Sequence, residues 1–285
     1  LALSAPRPLH IDADFGIDRI EPRYRAPFIQ PQSYQELLDD LVPGNLESFE
    51  TLVFDTGGQL FSLMSLWLIK QDKKNGKRDG SLSLAGYGAA GREFMRLMDY
   101  CFYELKKHIV VVFHAIEERA GEETKLRVKI EGQTKNNIWE PMDLGGFVEI
   151  VGDKRTIGFS NCERYFAKGT RGIKGIIEIP ELTVESKNDF LTNLFEEYNR
   201  KSEEELKLLG EQQQAYEAAM KEGQDILDSI TDAETANAAI APWRELKHAL
   251  TSQRELNYSF AGKTAELNLT WDKKLKRYVS MSQEG

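Results

Sequence analysis

Three short runs, each closed by a polar side chain, constrain this 285-residue chain more than any other feature. Leu9 to Asp14, Leu52 to Thr56 and Ile109 to His114 repeat one design: a stretch carrying Leu, Ile, Val or Phe, then an acid, Asp-Thr or His. Apolar stretches this brief suit buried strands better than helices of ordinary length. Buried strands of that kind belong to parallel sheets, and their last side chains collect at the carboxyl edge, where open α/β sheets bind ligands.

Helical patterns lie between the runs. Ser33 to Leu41 predicts a short helix, with Ser33 as N-cap and Glu36 three places on. Gln59 to Ile69 predicts a second. Arg92 to Lys107 predicts a third, because Phe94, Leu97, Met98, Cys101 and Leu105 recur near 3.6-residue spacing. The resulting β-α-β-α-β order gives a mostly parallel sheet flanked by helices, with right-handed crossovers. Phe147 to Val151, the turn Gly152-Asp153-Lys154, and Thr156 to Ser160 predict a hairpin added at the sheet edge.

Glycine marks a change of character, since 18 of the 22 glycines lie at or before Gly175. The remainder is rich in Glu, Gln, Ala and Lys, which places a boundary near Pro180 and predicts an α/β domain over 1–180 with a helical appendage over 181–285. A hydrophobic fraction of 41% and a charged fraction of 29% are ordinary for a globular protein. The net charge of -9 argues against a broad nucleic-acid or anionic-membrane surface and leaves room for a local basic groove. Residues 181–262 carry 17 acidic and 8 basic side chains, whereas Lys273, Lys274, Lys276 and Arg277 sit between Trp271 and Tyr278. Cys101 and Cys162 form no CxxC pair and no zinc-spaced cluster, which fits a reducing compartment. No run is long enough to span a membrane and no signal-peptide core precedes the first strand, so a soluble, cytoplasmic protein without a membrane partner is expected.

The polar strand ends are the candidates for chemistry. Asp55 followed by Thr56 is the pattern by which many nucleoside triphosphatases hold Mg²⁺ through water, although an acid at a strand end also caps helices. Asp14, beyond a neighbouring strand, is placed to polarise a water, although Asp and Gly also cluster in turns. His114 closes the third strand, where a hydrogen-bonded core-edge histidine is the plainer reading.

In this order the motifs resemble the RecA family, and more closely the RecA-like P-loop ATPases with an AAA/RecA-like core that bacteriophages encode for recombination and single-strand annealing. The likeness covers about residues 1–180. It implies that Asp14, in Ile11-Asp12-Ala13-Asp14-Phe15-Gly16-Ile17-Asp18, is the water-activating carboxylate, where RecA has Glu. By the same likeness Asp55 is the Mg²⁺-associated acid with Thr56 at the cofactor, and His114 stands near the γ-phosphate sensor, usually Gln in RecA. Leu84 to Arg92 resembles the segment leading into the third helix. Lys70, Lys73, Lys74, Lys77 and Arg78 occupy the place of the first DNA-contacting loop, where five cations suit phosphate neutralisation. Glu117 to Gly146 corresponds to the second such loop, with Lys125, Arg127, Lys129, Lys135 and an exposed-looking Trp139 for charge and stacking, diluted by Glu117, Glu118, Glu122 and Glu123. Lys168 and Arg171 stand where the family places cations that reach the nucleotide of a neighbouring subunit.

The expectation is an ATPase that uses ATP and Mg²⁺ at subunit interfaces of a ring or filament, binds single-stranded DNA, and supports recombination, annealing or repair. If phage-encoded, it would work in the host cytoplasm. One departure matters: no GxxxxGK[ST] occurs in residues 1–285, and Gly262-Lys263-Thr264 lacks the upstream glycine. The absence predicts that the reading frame is truncated ahead of Leu1, and that a chain of this extent is inactive as an ATPase. Two alternatives stand beside this reading: a nonenzymatic DNA-annealing or scaffold protein that no longer binds ATP, and an adaptor whose acidic helices bind another protein.

Overall fold

The structure, a computed structural model, describes residues 1–120, 123–130, 132 and 134–280. They form two compact units, Leu1–Asn199 and Arg200–Gly285. Glu122, counted above among the acids of the second basic segment, lies outside the described residues.

The first unit is built on a four-stranded parallel sheet. Its strands are β1 (Pro8–Asp12), β2 (Phe28–Ile29), β3 (Thr51–Asp55) and β4 (His108–Val112), in the spatial order β2-β1-β3-β4. The register sets Asp12 opposite Asp55, and Asp55 opposite Val112. Side chains alternate across a strand. Leu9, Ile11, Leu52 and Phe54 therefore share the face that packs into the main core, while His10, Asp12, Val53 and Asp55 share the other.

Three helices cover the apolar face: α1 (Tyr34–Asp40), α2 (Gly57–Gln71) and α3 (Leu84–Asp99). Each starts at the hydroxyl its sequence offers: Ser33 Oγ accepts from the Glu36 amide, Thr56 Oγ1 from Gln59, and Ser83 Oγ from Gly86. Tyr34, Leu37, Leu60, Met64, Phe94 and Leu97 are fully buried beneath them. Helix α3 begins eight residues before the predicted Arg92 and ends in a π-helical turn, Tyr100–Glu104. The expectation that Leu84 to Arg92 merely leads into the helix is corrected, because its glycines serve close packing. A Cβ at Gly86 would stand 2.1 Å from the Asn75 carbonyl oxygen, and one at Gly91 would stand 2.7 Å from Thr134 Oγ1.

Antiparallel strands follow. β5 (Ala115–Ala120) pairs with β6 (Glu123–Val128), and the short helix α4 (Thr134–Asn137) comes after. β7 (Phe147–Val151) and β8 (Lys154–Gly158) form the predicted hairpin around Gly152, whose φ of 67° suits the first central position of a tight hairpin turn. Its attachment differs from the expectation. β8 pairs with β9 (Ile176–Glu178) in a separate three-stranded sheet and makes no ladder with the parallel one.

Helix α5 (Phe190–Asp228) opens with Leu191 and Leu194 buried against Ala5, Ile157, Phe159 and Ile173. That packing explains why the units divide at Asn199 rather than near Pro180, where the composition changes: the first turns of the helix belong to the first unit's second core. The second unit continues with α6 (Ala233–Ala238), α7 (Ile240–Glu245) and α8 (Ser252–Glu266), then β10 (Leu269–Asp272) paired with β11 (Arg277–Ser280). Its core gathers Leu227, Ile230, Leu246, Leu256, Phe260 and Leu269. No described helix is long and apolar enough to cross a membrane.

Candidate active site

Asp55 is the last residue of β3, and Thr56 starts α2 across a cis peptide bond. Thr56 is buried and its hydroxyl holds the Gln59 amide, so it fixes the entry of the helix. The Asp55 side chain is 31% exposed, and His10 Nε2 lies 3.5 Å from Asp55 Oδ2. That distance exceeds a good hydrogen bond. His10 itself is 1% exposed, and neither of its ring nitrogens has a hydrogen-bond partner among the described residues.

Asp12, not Asp14, ends the neighbouring strand. Its carboxylate is fully buried and accepts from the Gly16 amide (2.7 Å), the Ile17 amide (3.0 Å) and Gln30 Nε2 (2.7 Å). Burial pushes its pKa up, and the three donors with the nearby His10 more than reverse that, holding it below the usual carboxylate range. Asp12 thereby fixes the loop that carries Asp14. Asp14 stands two residues past the strand, half-buried, with Arg19 Nη2 3.2 Å from its Oδ2. Between them Phe15 takes a φ of 55° and is 50% exposed.

His114 lies two residues past β4, exposed, with its carbonyl accepting the Lys129 amide. The three carboxyl ends do meet at one rim, since β1, β3 and β4 are in parallel register. The residues at that rim are Asp12, Asp55 and Val112, with Asp14 and His114 in the loops beyond. Sequence patterning missed His10, Asp12 and Gln30, although the alternation of Leu9 and Ile11 with His10 and Asp12 already sets the two polar side chains on one face.

Lys70, Lys73, Lys74, Lys77 and Arg78 are exposed around the end of α2, and no described residue forms an ion pair with them. The second basic segment is engaged internally. Lys135 Nζ is 2.6 Å from Glu118 Oε1, and the Arg127 guanidinium lies 3.8 Å from the centre of the Phe166 ring. The expected exposure of Trp139 is corrected. Its ring is half-buried beside Phe166, and a Cβ on Gly145 would come within 2.2 Å of it. Lys168 is likewise turned inward, because its ammonium donates to the carbonyls of Trp139 (3.0 Å) and Glu140 (3.1 Å) and so cannot reach outward without breaking both. Arg171 lies over the Tyr198 ring at 5.3 Å.

The site fits one half of a nucleotide complex. Mg²⁺ is commonly held by one or two carboxylates plus phosphate oxygens and water, and a partly exposed strand-end Asp55 meets that need. Among the described residues no group of three His, Cys, Asp or Glu side chains is arranged as a dedicated metal cage. A phosphate-cradling GxxxxGK[ST] is absent from residues 1–285, so these residues do not supply the other half.

No curated protein matches the chain. The AAA domain family matches residues 1–171, a span that takes in the whole parallel sheet, α1 to α3, Asp55 and the basic segment after α2. A parallel sheet with an acid at the carboxyl edge, together with a match over more than half of the length, places this chain in the AAA domain family of nucleotide-binding, ATPase-like proteins.

Proposed function

We propose that this chain is the core of a bacteriophage-type ATPase that binds single-stranded DNA and serves recombination, annealing or repair. The observation that carries the reading is the partly exposed Asp55 carboxylate at the rim of a parallel sheet, capped onto α2 by Thr56. Asp55 holds Mg²⁺ through water, and a bound Mg²⁺ neutralises phosphate oxygens. Asp14 orients water: an exposed ion pair such as the one it makes with Arg19 is weak, so its carboxylate is readily released. His114 contacts the terminal phosphate, and Arg171 serves a neighbouring copy in a ring or filament. The exposed cations Lys70, Lys73, Lys74, Lys77 and Arg78 take the DNA backbone, with Lys135 and Trp139 as its further contacts once released from their internal partners.

The test is binding of a fluorescent ATP analogue to the full chain with and without Mg²⁺. Asp55→Asn removes the Mg²⁺-dependent part of the affinity and leaves the fold intact. Identical Mg²⁺ dependence in wild type and variant overturns the assignment. A second reading, a nonenzymatic DNA-annealing or scaffold protein, is favoured by the absence of a phosphate loop from residues 1–285. It predicts DNA retention with no nucleotide binding in either protein.

A further inference from the structure

The second unit contains an open cleft of about 370 Å³ whose walls are aromatic: Trp243, Phe260, Trp271 and Tyr278. That volume lies at the small end of pockets that accept organic ligands. Phe260 and Tyr278 are 5.8 Å apart between ring centres, Trp243 and Phe260 are 4.6 Å apart, and Trp271 meets Tyr278 edge-on at 5.1 Å. Trp271 and Tyr278 are cross-strand partners in the β10–β11 hairpin. Trp271 is 38% exposed, a large ring surface left open to water.

The cleft is built rather than incidental. Asn237 donates from Nδ2 to the Tyr278 carbonyl (2.9 Å) and accepts the Tyr278 amide on Oδ1 (2.7 Å), which ties the hairpin to α6. The Trp243 indole donates to Asn257 Oδ1 at 3.1 Å, which fixes the opposite wall. The turn between the strands carries Lys273, Lys274 and Lys276, with Arg277 opening β11, and all four are exposed. Asp272, the last residue of β10, accepts from the Lys274 and Leu275 amides at 2.7 and 3.0 Å and stands opposite Arg277, whose charge it feels. Arg244 adds a cation to the lining. Aromatic rings with Arg244 in their lining and three exposed lysines in the turn that follows Trp271 match a ligand with flat apolar faces and a negative backbone.

We propose that this cleft is a single-stranded nucleic-acid site, in which a base stacks on Trp271 while Lys273, Lys274 and Lys276 in the adjoining turn neutralise the neighbouring phosphates. It rests on the single-stranded DNA reading above and adds a site that the basic segment after α2 does not contain. Charge alone holds phosphates without regard to bases, whereas an aromatic wall holds bases, so the site distinguishes a normal strand from one stripped of them.

The experiment is fluorescence anisotropy of a labelled oligothymidylate of about 20 nucleotides on the full chain, with an abasic strand of equal length as competitor. The abasic strand is expected to compete at least about tenfold more weakly, a comparison that needs no variant. Trp271→Ala weakens oligothymidylate binding about tenfold and removes the preference for bases, Trp271→Phe keeps most of it, and Lys273→Glu/Lys274→Glu/Lys276→Glu weakens both strands. Equal competition by the abasic strand, or wild-type affinity in Trp271→Ala, overturns the proposal. If Lys73→Ala/Lys74→Ala/Lys77→Ala abolishes binding while Trp271→Ala does not, the cleft assignment falls and the reading of the first unit stands. If the unaltered chain retains no oligothymidylate at low salt, both fall.

Discussion

Replacing Asp12 by Asn tests the claim that this buried acid, rather than Asp14, organises the rim of the sheet. Asp12 accepts three hydrogen bonds in a site closed to water. An amide has one acceptor oxygen, so at least one of the three donors, Gly16 N, Ile17 N or Gln30 Nε2, faces an NH₂ group instead of an oxygen. Hydrogen bonds to a charged group contribute about 1.5–3 kcal/mol each, and a buried donor left unpaired costs about 1–3 kcal/mol. Loss of one bond and weakening of the others from charged to neutral predicts a destabilisation of about 3 kcal/mol at pH 7.

The pH dependence gives a second signature. The native pKa of Asp12 lies below its unfolded value of about 3.9, so the unfolded state binds the proton more tightly. The stabilisation from the ionised group is whole above the unfolded pKa and is lost as pH falls through the lower native value. The gap between wild type and Asp12→Asn therefore narrows on acidification below about pH 4. Urea unfolding of the full chain at pH 7 and at pH 3, followed by far-ultraviolet circular dichroism and by exchange of the Gly16 and Ile17 amides, reads both effects. Equal stability at pH 7, or a gap that does not narrow with acid, refutes the reasoning.

Other consequences are simpler. Phe94→Ala empties a fully buried ring position between α3 and the sheet and costs about 3–5 kcal/mol in urea unfolding. Gly86→Ala drives a methyl group into the Asn75 carbonyl and costs about 1–3 kcal/mol despite alanine's better helix propensity, read as a lowered Tm. Burial pushes the Cys101 thiol up to about 12, and Cys162 is exposed, so a thiol reagent at neutral pH labels Cys162 alone until denaturant opens the fold. Lys168→Met frees the Trp139 and Glu140 carbonyls and loosens the 139–145 segment, read as faster amide exchange at Gly145.

The sequence made some parts of this fold readable and hid others for identifiable reasons. Leu52 to Phe54 is apolar on both faces, so β3 and Asp55 were visible locally, and α2 was visible from Gln59 on, whereas the use of the Thr56 hydroxyl as its cap was not. The end of β1 was not, because Asp12 and Asp14 are equally plausible strand tips until the partner strand fixes the register. Gly86, Gly88 and Gly91 read as a loop on propensity, whereas close approach to neighbouring backbone and side chains makes two of them useful inside α3. The hairpin around Gly152 was legible from its turn, but which sheet it joins depends on contacts distant in sequence. The directions taken by Lys168 and Trp139 are set by Glu140, Gly145 and Phe166, and no local pattern reports them.

The central claim, that Asp55 marks the cation-binding rim of an AAA-family sheet, is tested most directly by paramagnetic broadening with Mn²⁺ in place of Mg²⁺, in the presence of ATP. The account predicts that amide signals from Asp55 to Gly58 and from Ala13 to Gly16 broaden first in the full chain, and that Asp55→Asn abolishes this focus. Broadening that spreads along the Glu-rich surface of α5 with no maximum at Asp55, or that persists unchanged in Asp55→Asn, contradicts it.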